Sequence, residues 1–180
     1  MRKIVLGLLF LLILTACGDS KGGVTTKDLA IQKANDSKAV VQYGMSRTEA
    51  EEVLGMGEDK GIPNSVMYDS GVGIMYREDK VAGITLGKES KDAYETAGGF
   101  KIGMSKDEFK QIYGEQYLKD MESNLDYAYD SNNKRYLQEK EWVAKSEDDT
   151  KIYVISGMFN GKGEADGIVL VDKRMTMTFR

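Results

Sequence analysis

The chain has no histidine, one cysteine and one proline in 180 residues. Without histidine there is no Ser-His-Asp or Cys-His relay, and no side chain that titrates near neutral pH unaided. With Cys17 alone, an internal disulfide and a His/Cys zinc site are excluded as well. Positive charge is also scarce. The 25 Lys and Arg face 29 Asp and Glu, a formal net charge of -4 with pI ≈ 5.1. That balance argues against a nucleic-acid partner, because phosphate binding needs a basic footprint. What is present is 41% hydrophobic residues, 30% charged residues and 20 glycines, the composition of a globular domain. A binding module, a carboxylate enzyme and an oxygen-ligand metal protein remain open.

The one long apolar run follows Met1-Arg2-Lys3 and covers residues 4–14. It is well short of the ~20 residues a membrane-spanning helix needs, so residues 1–16 read as a signal peptide. Leu14-Thr15-Ala16-Cys17 resembles the lipobox of bacterial lipoproteins. The resemblance implies cleavage before Cys17, acylation by diacylglycerol and fatty acid such as palmitate, and an outward-facing place on a cell membrane. Loss of the leader removes Arg2 and Lys3 from the 25 basic side chains, leaving 23 against 29 acidic ones, a formal charge of −6. No polybasic patch is left for anionic lipid. The acyl chains, at roughly 0.8 kcal/mol per buried CH2, must then do the anchoring. Residues 17–38, which open on the Gly-rich GDSKGGVTTK, read as the lipidated cysteine and a flexible tether.

An internal repeat organises the rest. Residues 44–55 (GMSRTEAEEVLG) align without a gap on residues 103–114 (GMSKDEFKQIYG). Each copy specifies a short helix: Ser46 or Ser105 as N-cap, Glu49 or Glu108 closing a capping box, and Gly55 or Gly114 at a left-handed C-terminal stop. Ala50, Val53, Leu54 and Phe109, Ile112, Tyr113 form the apolar stripes. Further on, Tyr68-Asp69-Ser70 matches Tyr129-Asp130-Ser131, Met75-Tyr76 matches Met158-Phe159, and Gly83-Ile84-Thr85-Leu86 matches Gly167-Ile168-Val169-Leu170. These segments alternate as strands. The expected fold is α+β: two tandem helix-plus-antiparallel-meander repeats, residues 39–91 and 92–180, forming one sheet with helices on one face. The second repeat carries an insertion at residues 132–151 whose Tyr136, Leu137, Trp142 and Val143 do not settle between helix and strand periodicity.

A Gly-Met-Ser-x-x-Glu helix closing on glycine, followed by a meander and preceded by a lipobox, resembles β-lactamase inhibitory protein and the small SmpA/OmlA-type lipoproteins of outer-membrane assembly. The similarity covers residues 40–175. The fold it implies hosts protein binders with different partners. The chain departs from the pattern in lacking a Gly-x-Pro after either helix and in lacking paired cysteines.

Candidate chemistry is thin. Glu49, Glu51 and Glu52 beside Arg47 read as a solvated helix face, and Glu147-Asp148-Asp149 as a polar loop. Asp130-Ser131-Asn132-Asn133-Lys134 begins like a calcium loop but places Lys134 where a ligand is wanted. The glycines at 157, 161, 163 and 167 lack the Lys-Ser/Thr ending of a phosphate loop. No cofactor and no metal are expected. Aromatics are the better lead: Tyr68, Tyr127, Tyr129, Tyr136, Trp142 and Tyr153 would anchor a partner if they stood on the uncovered sheet face, and would simply fill the core if they pointed the other way. Leu125, Tyr127 and Tyr129 share one side of a strand, so the two tyrosines stand or fall together. The expectation is a noncatalytic, lipid-anchored envelope protein that binds another protein or a wall component through its sheet. The competing reading is a small carboxylate-dependent wall hydrolase, which needs two acids about 5 to 9.5 Å apart in a cleft.

Overall fold

In the computed structural model, which describes residues 23–144 and 148–176, the chain runs through fifteen regular strands and α-helices. In order they are β1 (Ala30–Lys33), β2 (Asp36–Gln42), α1 (Arg47–Leu54), β3 (Ser65–Met67), β4 (Val72–Arg77), β5 (Lys80–Leu86), β6 (Tyr94–Thr96), α2 (Lys106–Tyr113), β7 (Lys119–Met121), β8 (Asn124–Asp130), β9 (Arg135–Tyr136), α3 (Glu139–Trp142), β10 (Ile152–Phe159), β11 (Ala165–Asp172) and α4 (Lys173–Thr176). The signal segment, Cys17 and Glu147 lie outside the described residues.

Both eight-residue helices begin as their sequences dictate. The Ser46 hydroxyl accepts the Glu49 N–H while the Glu49 carboxylate takes the Ser46 N–H at 2.8 Å, and Ser105 and Glu108 repeat the exchange at 2.8 Å. Their ends differ from expectation. Gly55 (φ 84, ψ -164) and Gly114 (φ 92, ψ -172) have positive φ but extended ψ, a mirror-image strand conformation open to glycine rather than the left-handed helical one. Glycine is needed there, but to launch the chain outward.

The architecture is mixed α+β and mostly antiparallel sheet. Eight strands form the main sheet in the order β3-β4-β5-β11-β10-β8-β7, with β9 also paired to β8. The β4–β5 hairpin slips register between Met75 and Tyr76, and the β10–β11 hairpin between Met158 and Phe159. Gly44 N–H donates to Val81 O at 2.7 Å and Val81 N–H to Met45 O at 2.8 Å; Gly103 donates to Ala165 O and Ala165 to Met104 O, both at 2.8 Å. Where the hairpins meet, Leu86 pairs with Ile168, Thr85 with Val169 and Ile84 with Leu170.

A second sheet was not foreseen. Three strands form it in the order β2-β1-β6, and β1 and the start of β2 lie in the span read as tether. The polar stretch ends before Leu29, and Leu29, Ile31 and Val41 are fully buried, which anchors residues 29–42 to the domain. These three join Ala50 of α1, Phe109 and Tyr113 of α2, and Ile74, Ile84, Leu86, Ile155, Ile168 and Leu170 of the main sheet in one large core. Residues of opposite orientation, Met75, Ala82, Val154 and Val171, make a smaller cluster with Met175 of α4.

The described part of the insertion packs against the main sheet. Leu137 buries against Ala128 and Ile152, and Trp142 of α3 packs beside the same cluster. Lys173, 2% exposed, holds it down: its ammonium donates to Ala144 O at 2.9 Å, pairs with Asp149 at 3.2 Å and stands 5.2 Å from the Trp142 ring centre.

Candidate functional site

The main sheet packs one surface on the large core and turns the other away from it. The tyrosines expected there are elsewhere. Tyr68, Tyr127, Tyr129 and Tyr153 are all buried in the large core, so they correct the sequence expectation and fill the interior. Each hydroxyl with a described bond explains why burial is tolerated. Tyr127 donates to Gly114 O at 2.5 Å, at the end of α2, and Tyr68 shares a 2.8 Å bond with Tyr76. Burial pushes the Tyr127 and Tyr68 phenols up from their ordinary range. Tyr136 is half-buried against Tyr129, ring centres 5.1 Å apart, and Trp142 is half-buried over Lys173. The six residues therefore form no common surface.

What faces outward is a row of pairs crossing seven strands. Met67 pairs with Gly73, Gly73 with Thr85, Thr85 with Val169, Val169 with Ser156, Ser156 with Asp126 and Asp126 with Lys119. Small side chains at its middle make it a shallow trough. Methionines on this face lie across partner glycines: Met75 over Gly83, Met67 over Gly73 and Met158 over Gly167. A Cβ on Gly83 would stand 2.5 Å from Met75 Cε and 2.7 Å from Val171 Cγ1, so glycine is required for the side chain to lie flat.

At one end the trough deepens into an apolar depression of about 320 Å3, bounded by Ile62, Met67, Met75, Val169, Val171 and Met175. Ile62 is 44% exposed and Met158, further along the same face, 39%. Methionine-lined apolar surface of this kind adapts its shape to what it binds. The other end is polar. Ser156 Oγ and Asn124 Nδ2 both donate to Asp126 Oδ1, and among the described residues nothing donates to Oδ2. Burial outweighs these bonds and the distant Lys119 charge, and holds the Asp126 carboxyl above the usual range. Lys119 directs its ammonium to Glu139 at 3.1 Å instead.

A second concavity, about 580 Å3, lies under the insertion between Asp130, Arg135, Lys140, Glu141 and Asp148. Its acids are occupied. Burial pushes Asp130 up, but Asn133 and Asn132 donate to it and bring it below the usual range. The Gln138 N–H and then Arg135 hold Glu141 down, and Thr150 holds Asp148 down. The calcium-like start at Asp130 is thus a turn closed on its own amides. Among the described residues no three His, Cys, Asp or Glu side chains group so as to hold a metal ion.

The outward row was missed in sequence, although a signal for it exists. The repeat aligns Thr85 with Val169, each between two residues that had to be core, which places both on the opposite face. No family model matches the chain, and no curated protein and no solved structure matches it significantly.

Proposed function

We propose that this is a lipid-anchored envelope protein, noncatalytic, whose main sheet presents its outward row to another protein or a wall component. The observation that carries the reading is the outward row from Met67 to Asp126: an apolar depression at one end and a carboxylate at the other, on a sheet whose other side is packed. Binding sites are typically concave and lined by apolar side chains with a few polar groups placed nearby, and this depression of about 320 Å3 has that form. The insertion cleft lends no support to a hydrolase, because the acids that line it are each taken up by donors of their own: Asp130 by Asn132 and Asn133, Glu141 by Arg135 and Gln138, and Asp148 by Thr150.

The platform itself is two tandem copies, each a capped helix and a meander, joined edge to edge with both helices over the packed side. Four correspondences support this: the twin capping boxes, the backbone bonds that tie each helix start to Val81 or Ala165, the register slips at Met75/Tyr76 and Met158/Phe159, and a junction whose pairs are symmetric about Thr85–Val169. Anchoring rests on the lipobox at Cys17.

Two measurements test the function. Labelled fatty acid is incorporated into the wild-type chain and not into Cys17→Ser. The full chain in detergent captures its partner from envelope extract, Val169→Asp loses at least tenfold of that capture, and Tyr127→Phe, in the core, retains it. Capture that survives Val169→Asp removes the sheet face from the account.

A further inference from the structure

The trough is polarised, and this constrains its occupant. Its depression contains no charged side chain. Its far end contains a carboxylate with one oxygen, Oδ2, that no described donor meets, and no ammonium or guanidinium of the described residues stands within 4 Å of it. The register fixes the distance between the two features. Asp126 on β8 is separated from Val169 on β11 by two strand steps and from Met67 on β3 by five, which at ~4.8 Å per step is about 10 to 24 Å. An extended chain rising ~3.3 Å per residue covers this in three to seven residues.

We infer that the occupant is an extended segment of a partner protein that places a lysine or arginine on Asp126 Oδ2 and an apolar side chain, three to seven residues away, in the depression between Met67, Met75 and Val171. The inference rests on the sheet face being the binding surface and specifies what it takes. Charge complementarity favours a cationic segment over an acidic one on a chain of net charge -4. Methionines lying flat over glycines let the depression accept more than one apolar residue type. A second copy of this chain fits less well, because stacking two such faces either brings the Asp126 ends together or sets each against the other's depression.

The test is selection of a random dodecapeptide display library on the immobilised full chain in detergent, followed by synthesis of the enriched peptides. The expected peptides carry Lys or Arg three to seven positions from Leu, Ile, Met or Phe. Asp126→Asn weakens them about tenfold, replacing their lysine by norleucine weakens them equally, and the norleucine peptide binds wild type and Asp126→Asn alike. Enriched peptides that are acidic or uncharged, or that ignore Asp126→Asn, overturn the cationic specificity while leaving the face as the binding surface. Peptides that ignore Val169→Asp overturn the surface itself. A chain that sediments as a dimer and is dissociated by Val169→Asp assigns the face to a second copy and overturns the inference.

Discussion

Two aspartates on the same sheet show how position decides what a carboxylate does. Asp172 is fully buried and accepts from Tyr43 Oη at 2.6 Å, from Arg77 at 2.6 and 3.2 Å and from Met175 N at 2.9 Å. It ties β11 to β4 and to the chain leaving β2. Asp172→Ala leaves the partly exposed Arg77 guanidinium and the Tyr43 hydroxyl without their acceptor and is expected to destabilise the fold by about 1–3 kcal/mol in urea unfolding. Asp126 has fewer donors and stays above the usual carboxylate range, so the folded state binds its proton more tightly than the unfolded one. Its contribution therefore falls as pH rises through that window, and Asp126→Asn should be more stable than wild type at pH 7 and equal to it in acid. Glu108 works in the opposite sense. Bonds from Ser105 hold it below its ordinary range, so its stabilisation is present at neutral pH and is lost as pH falls through the depressed value. Glu108→Gln should flatten that acid limb. Stability measured across pH 3 to 7 separates the two signs.

Elements whose cause is local were legible in the sequence. Both helices, the β4–β5 and β10–β11 hairpins and the shared face of Leu125, Tyr127 and Tyr129 follow from spacing within a dozen residues. The small sheet was not, because β1 closes against β6 through Ile31 and Thr96, and short strands declare themselves only once such distant partners meet. The insertion was ambiguous for a related reason: contacts that hold its described part come from Lys173, just past the end of β11. Lys173→Met should leave the sheet intact while amide exchange in residues 135–144 rises about tenfold. The β4–β5 turn offers a gain instead. Glu78 and Asp79 both have positive φ, 53 and 56, where Asn-Gly is the preferred pair. Replacing them by Asn-Gly should raise stability by about 1 kcal/mol, read from the unfolding midpoint.

At the scale of the molecule, the β5–β11 junction makes the two hairpins one sheet, and one core runs beneath it. Leu86→Ala and Ile168→Ala, paired across that junction, should each cost about 2–5 kcal/mol in a single shared transition. Two transitions would mean the halves fold apart. The site was only half legible. Alternation established that Tyr127 and Tyr129 face the same way, but which way depended on Gly114 O waiting at the end of α2 for the Tyr127 hydroxyl. Burying the aromatics left the outward face to small residues and methionines, which composition does not distinguish from core. The proposed function turns on which face of the sheet a partner would meet. Photocrosslinking in the native envelope, with benzoylphenylalanine at position 85 on the outward row or at the exposed positions 52 on α1 and 111 on α2, tests it most directly: adducts from position 85 alone are predicted, and adducts from the helix positions with none from 85 would contradict it.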